Sequence, residues 1–160
     1  MESEFEHEKA PQVNLALCAV RRYVMMVGLK WLPLSSMRVL ILRLCGAKVG
    51  KGCYIGFNLR IDTNYTSKIL IGDHVTISHD VSIYAHTATP AKSKLGAHYS
   101  VVKEISIGDG AWIGAAALLL PGSRVEENSM IGAGSVFSGQ TRSGGIYAGN
   151  PAKQIKHINF

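Results

Sequence analysis

The chain has 160 residues, a length that suits one domain with a substantial core. Its net charge is +6, yet four glutamates lie within residues 2–8 and no acid occurs between residues 9 and 61. The three cysteines form no CxxC pair, which argues against a disulfide framework and indicates reduced thiols in the cytoplasm. Basicity alone does not predict nucleic-acid binding, because no aromatic-studded basic groove or reading helix accompanies it.

The N-terminal segment, residues 1–45, is predicted to be helical over residues 12–45. Its apolar stretch 13–32 has Arg21 and Arg22 at the middle, and each would cost roughly 2.5–3.5 kcal/mol inside a bilayer. The acidic start is also unlike the basic start of a signal peptide. We therefore reject a spanning helix and keep two alternatives: packing on the chain's own domain, or peripheral contact of residues 10–45 with a membrane surface.

From residue 71 onward, large apolar residues recur every six positions. Nine such positions would all be apolar by chance about once in 900. A second set, four positions later, is small or β-branched throughout. The large set is Ile71, Ile77, Ile83, Ile107, Ile113, Leu119, Val125, Ile131 and Phe137.

Six-residue repetition is typical of a parallel β-helix, in which each hexad forms one flat side and one corner. Three sides make one coil, so equivalent residues such as Ile113 and Ile131 are expected to stack. The pattern extends back to Val49 with a four-residue phase slip before Ile71. The open ends need covers, which we expect from the N-terminal helices and from a short C-terminal helix in residues 143–160.

The second half of the repeat resembles a known family. The segments "IGDGAWIG", "LLLPG", "IGAGSV" and "AGNPAK" occur in the order and at the spacing of the hexapeptide-repeat acyltransferases. The likeness is greatest to sugar O-acetyltransferases of bacterial polysaccharide synthesis. It implies a left-handed β-helix over residues 46–142, acetyl-CoA as co-substrate, and a homotrimer with active sites between subunits.

The repeat breaks after His86, where residues 87–104 form a predicted loop. Long loops on rigid scaffolds often carry function. The segment "IYAHTAT" is similar to the family segment whose histidine is the general base, and His86 is its counterpart. A histidine can take the proton of a sugar hydroxyl near neutral pH and pass it to the departing thiolate. Thr87 stands where the family pattern has an acid, so the group that orients the imidazole stays open.

Two further sets of site residues follow from the resemblance. Acceptor contacts are expected from Asn58, Asp62 and, within the loop, His98. The coenzyme arm is expected along Ala115 and Ala133, with cations at its phosphate end. The complete coenzyme set is Gly114, Ala115, Gly132, Ala133, Ser138, Lys153 and Lys156.

The predicted activity is acetyl transfer to a sugar hydroxyl in polysaccharide or glycolipid biosynthesis, in the cytoplasm or on the inner face of the membrane. N-acetyl transfer to an amino sugar or amino acid is the main alternative. A zinc enzyme like the β-helical carbonic anhydrases is less favoured, because the histidine spacing does not suit a three-histidine site. A non-catalytic β-helix is a third alternative. No metal is expected.

Overall fold

The structure is a computed structural model that describes residues 15–87 and 99–160. Two helices come first, α1 (Leu15–Trp31) and α2 (Ser35–Leu44). They are followed by a series of very short strands that wind through three parallel sheets, here called walls 1, 2 and 3. The prediction of a left-handed parallel β-helix with N-terminal helices is confirmed.

Each wall takes one strand from every coil, and these coil strands pair in parallel. Wall 1 consists of β1 (Lys48–Val49), β4 (Ile69–Ile71), β7 (Ile105–Ile107) and β10 (Arg124–Val125). Wall 2 begins with β2 (Tyr54–Ile55), β5 (Thr76–Ile77), β8 (Trp112–Ile113) and β11 (Met130–Ile131). Wall 3 consists of β3 (Arg60–Ile61), β6 (Ser82–Ile83), β9 (Leu118–Leu119) and β12 (Val136–Phe137).

The predicted hexad residues form the core. All nine large residues are at most 4% exposed. Ile113 lies directly opposite Ile131 in the sheet, as the 18-residue coil requires. The small residues fill the corners and are buried, except Thr87, which is exposed because the chain leaves the wall there.

The phase slip makes the first coil four residues longer than the regular coil between Ile107 and Val125. Val49 pairs with Ile71 in wall 1, whereas Ile107 pairs with Val125. The four extra residues fall after β3, where the chain makes a turn and a short 3₁₀ helix, Thr66–Lys68, before it enters β4. This detour shapes the candidate site.

The two helices cover the open end of the first coil. Two backbone N–H groups of that coil donate to the helices. Ile55 N donates to Ser35 Oγ at 2.8 Å, and Asn58 N donates to Leu29 O at 2.9 Å. Arg38 is 1% exposed and donates from Nε to Ile55 O at 2.9 Å. Burial lowers the pKa of its guanidinium group. Neither described helix is long and apolar enough to cross a bilayer.

The predicted C-terminal helix is wrong. Residues 145–157 form an antiparallel hairpin of β13 (Gly145–Gly149) and β14 (Ala152–His157). β13 continues wall 2 beside β11, and β14 adds the outermost strand. The last coil exposes a row of unpaired backbone groups, which an added strand satisfies and a helix would leave unpaired.

Candidate active site

His86 lies at the corner where wall 3 turns toward wall 1, three residues after the end of β6 and one coil after Asp62. Its backbone is held by an antiparallel bridge to Val102. On either side of that bridge, Lys103 N donates to Ala85 O at 2.8 Å and Thr87 N donates to Val101 O at 2.9 Å. The base of the loop is therefore closed by pairing that fixes the position of the imidazole.

The imidazole is paired with a buried carboxylate. Nδ1 of His86 contacts Oδ2 of Asp62, and the side chain of His86 is 22% exposed while that of Asp62 is 1% exposed. Asp62 Oδ1 also accepts from the backbone N–H groups of Asn64 at 3.0 Å and Tyr65 at 3.2 Å. Oδ2 accepts from the N–H of Ala85 at 3.1 Å. The carboxylate is thus fixed from several directions before it meets the histidine.

This arrangement sets the tautomer of His86. A carboxylate oxygen only accepts, so the proton of the neutral imidazole lies on Nδ1 and the lone pair lies on Nε2. The ring of Tyr65 packs on the imidazole with a centroid distance of 5.1 Å. The accessible Nε2 can therefore accept a proton from a bound hydroxyl, which is the chemistry of a general base.

Asp62 was expected to contact the sugar, but it is buried beside His86. Its residue is 2% exposed and its oxygens face protein donors, so it has no surface to offer a sugar. The expected acid after the histidine is absent, and an acid from the preceding coil takes its place. In the sequence, the four-residue slip after β3 was the available signal for this role of Asp62. The slip creates a turn in which the backbone of Asn64 and Tyr65 surrounds the carboxylate.

The other two expected acceptor residues are Asn58 and His98. Asn58 adopts a left-handed conformation (φ 57°) at the corner between walls 2 and 3, and its Nδ2 donates to Asp80 Oδ1 at 2.6 Å. It lies on the opposite edge of wall 3 from His86. His98 lies outside the described residues.

The two expected coenzyme glycines are explained by coil packing. A Cβ on Gly114 would lie 2.5 Å from the backbone nitrogen of Ala133, and one on Gly132 would lie 2.9 Å from the Cβ of Ala148. Both glycines therefore allow neighbouring coils to approach. Because their Cβ positions face protein atoms of the next coil, they offer little contact to a coenzyme.

Ala115 and Ala133 are exposed and follow one another up the corner between walls 2 and 3. Gly134 N donates to Ala115 O at 2.8 Å, which keeps the two coils in register. In earlier coils the same corner carries Phe57 and His79, whose rings stack at 5.6 Å. The small side chains leave an open strip that the stacked rings close at one end.

The expected cations lie beyond the other end of this strip. Lys153 pairs with Ala148, the residue that faces Gly132, and Lys156 pairs with Ile146. Both lysines are exposed on β14. Ser138 is exposed after β12, at the corner that carries His86, two coils away from it. The strip and His86 therefore occupy different corners of one chain.

In residues 15–87 and 99–160, no group of three His, Cys, Asp or Glu side chains is arranged to hold a metal ion.

Comparison with known proteins supports the resemblance. The family model described as bacterial transferase hexapeptide (six repeats) matches residues 104–139. A galactoside O-acetyltransferase of Escherichia coli (strain K12) is 36% identical over 113 residues, which cover 69% of this chain and 54% of that protein. The chain therefore spans about half the length of this curated relative.

Two further comparisons cover more of the known protein's length. An Escherichia coli (strain K12) protein named for an acetyltransferase role in colanic acid biosynthesis is 28% identical over 145 residues, covering 79% of each chain. The crystal structure of a maltose O-acetyltransferase from Clostridium difficile 630 superimposes with a TM-score of 0.66 at 25% identity. That match covers 91% of this chain and 86% of the other.

Proposed function

Because the chain belongs to the hexapeptide-repeat acyltransferases, we propose that it transfers an acetyl group from acetyl-CoA to a sugar hydroxyl. The observation that carries this proposal is the contact between His86 Nδ1 and the buried carboxylate of Asp62 at the point where the wall opens. The names of the relatives, as galactoside and maltose O-acetyltransferases, support a sugar acceptor.

The proposed reaction needs one base and no covalent enzyme intermediate. Nε2 of His86 takes the proton of the acceptor hydroxyl as its oxygen attacks the thioester carbonyl carbon. The tetrahedral adduct collapses with cleavage of the C–S bond, and the imidazolium returns the proton to the departing thiolate. Asp62 holds the Nδ1 proton throughout and stabilises the transient positive charge on the ring.

The donor would lie along the strip of Ala115 and Ala133, where small side chains let the pantetheine arm approach the backbone. Lys153 and Lys156, beyond the end of this strip, are suited to the phosphates of the coenzyme. Since His86 lies at another corner of the same chain, base and donor meet only if a neighbouring copy supplies one of them. We therefore propose a homotrimer with its active sites between subunits.

Coenzyme A release tests the activity. The full chain is supplied with acetyl-CoA and a panel of neutral sugars, charged sugars, amino sugars and serine. Release that depends on a sugar, with an ester as product, is expected. Release only with amines, yielding an amide, would replace the O-acetyl assignment, and absence of release with every acceptor would contradict the proposal.

We also propose that the outer face of the two helices rests on a membrane, on its cytoplasmic side. The side of α1 opposite its buried residues exposes apolar side chains at helical spacing, and so does α2. Gly28 of α1 and Ile41 of α2 pack against each other between the helices. On each helix the stripe of exposed apolar side chains lies about a quarter turn around the helix from that contact, so both stripes face outward. The exposed residues are Val20, Tyr23, Val24, Val27 and Trp31 of α1, and Met37, Leu40 and Leu44 of α2.

Charge supports an anionic membrane surface as the occupant. Nine lysines and arginines and no acids lie between residues 9 and 61. An apolar face with basic flanks is typical of helices that lie in the membrane interface. Two free thiols, Cys45 and Cys53, are compatible with the cytoplasmic side.

Vesicle sedimentation tests the membrane contact with two matched variants. Val27 and Ile158 are 41% and 40% exposed, and only Val27 belongs to the stripe. We expect Val27→Glu to weaken binding to vesicles containing phosphatidylglycerol at least about fivefold. Ile158→Glu should bind like the wild type. Equal binding of all three proteins would contradict the proposed face.

A further inference from the structure

A cleft of about 490 Å³ lies between α1 and the outer side of wall 3, in the first two coils. Its volume is in the range of small-molecule sites. It runs across the wall from Asn58, at the corner with wall 2, to Thr63 and Tyr84 near the corner with wall 1. The cleft is therefore long enough to receive more than a single hydroxyl group.

One end of the cleft lies beside the proposed base. Thr63 follows Asp62 directly in the chain, and Tyr84 precedes His86 by two residues, a distance of about 7 Å in extended backbone. Tyr84 is 38% exposed, so its ring offers a face against which a sugar can pack. A molecule in the cleft would thus reach the edge of the His86 site.

The charged residues that line the cleft are both cationic. Lys30 from α1 and Arg60 from β3 both line it, and none of its lining residues is acidic. Two carboxylates lie nearby. Asp80 accepts a hydrogen bond from Asn58, and Asp62 is buried against His86. Among the described residues that line the cleft, Lys30 and Arg60 are the charged ones.

Apolar side chains line the cleft beside these cations. Met25 and Leu29 of α1 line it and are 1% and 2% exposed. Apolar walls lower the local dielectric and strengthen the attraction of the two cations for an anion. Lys30 Nζ lies 5.2 Å from the centroid of the Trp31 ring, and no described contact pairs Lys30 or Arg60 with a carboxylate. Two such cations suit a negatively charged group.

On the premise of the proposed function, we propose that this cleft binds the acceptor and that the acceptor is an anionic sugar. Arg60 and Lys30 bind its phosphate or carboxylate, Tyr84 packs on the sugar ring, and the free hydroxyl extends toward His86. Arg60 is then a specificity-determining residue that acts on acceptor binding and not on proton transfer.

Acceptor kinetics test the cleft. The full chain is assayed with glucose 1-phosphate, glucuronic acid and glucose, together with Arg60→Gln and Arg124→Gln. Arg124 is an exposed arginine on wall 1, away from the cleft, and serves as the matched control. We expect an anionic acceptor to have a KM at least about tenfold below that of glucose, and Arg60→Gln to remove that difference. The KM for acetyl-CoA should stay unchanged.

The two anionic acceptors distinguish the source of the charge. Preference for glucose 1-phosphate indicates a phosphate, and preference for glucuronic acid indicates a carboxylate. Equal use of glucose and both anions, or an equal effect of Arg124→Gln, would overturn the proposal.

Binding without acetyl-CoA separates this proposal from the proposed function. If no acceptor is acetylated, the proposed acetyl transfer is wrong, and binding of the two anions is then measured by calorimetry. Binding that is lost in Arg60→Gln and kept in Arg124→Gln would still support the cleft. Absence of binding to the wild type would overturn it.

Discussion

Replacing His86 by alanine is expected to lower the turnover of acetyl transfer at least about a hundredfold, because positioned proton transfer contributes roughly 10²–10⁴-fold. Without Nε2, the acceptor hydroxyl must lose its proton to water while it attacks the thioester. The measurement is the rate of coenzyme A release at saturating acetyl-CoA. The fold should persist, since the 22% exposed side chain of His86 lies outside the stacked core.

A second histidine variant provides the control for this result. His157 is exposed on β14 and has no carboxylate partner among the described contacts. His157→Ala should retain the turnover of the wild type, and thermal unfolding should show that both variants are folded. Unchanged turnover in His86→Ala would remove His86 from its proposed role.

Replacing Asp62 by asparagine is expected to lower turnover by a smaller factor, on the order of tenfold to a hundredfold. The amide keeps the shape of the carboxylate, but its NH₂ group can donate to Nδ1 of His86. That contact places the imidazole proton on Nε2, the atom that must accept the hydroxyl proton. In the proposed mechanism Asp62 only positions His86, so kcat should fall while the KM for acetyl-CoA changes little.

The same substitution at Asp73 is the matched control. Asp73 Oδ1 accepts a backbone N–H from Lys51 at 2.7 Å, as Asp62 does from its neighbours, but no imidazole contacts Asp73. Asp73→Asn should keep full turnover. The ¹⁵N NMR shifts of the His86 ring should report Nδ1–H in the wild type and Nε2–H in Asp62→Asn. An unchanged tautomer in Asp62→Asn, or equal losses in both variants, would contradict the positioning role.

The repeat could be predicted from the sequence because its cause is local and recurrent. Every hexad places one large side chain, such as Ile113, inside the prism and one small residue at a corner. The same pattern of large and small residues therefore recurs in the sequence of each repeat. The C-terminal cover has no such recurrence. The segment "NPAKQIK" has no period of its own, and its strand forms because β13 offers it an unpaired edge.

The proposed base could be found from the sequence, but the carboxylate that contacts it could not. His86 marks the break in the repeat, whereas Asp62 lies in another coil, beyond a slip that changes the coil length. Which residues stack there depends on the turn of Asn64 and Tyr65 and not on the hexad spacing. The cleft is a feature of tertiary structure, since α1 and wall 3 meet only when the helices cover the first coil.

In the proposed arrangement, the coenzyme thiol reaches His86 across a boundary between copies of the chain. The most direct measurement is a crystal structure of the full chain with coenzyme A. The account predicts the sulfur within about 4 Å of Nε2 of His86, with the pantetheine arm along Ala115 and Ala133 of a neighbouring copy. Coenzyme A bound away from His86 in every copy would contradict it.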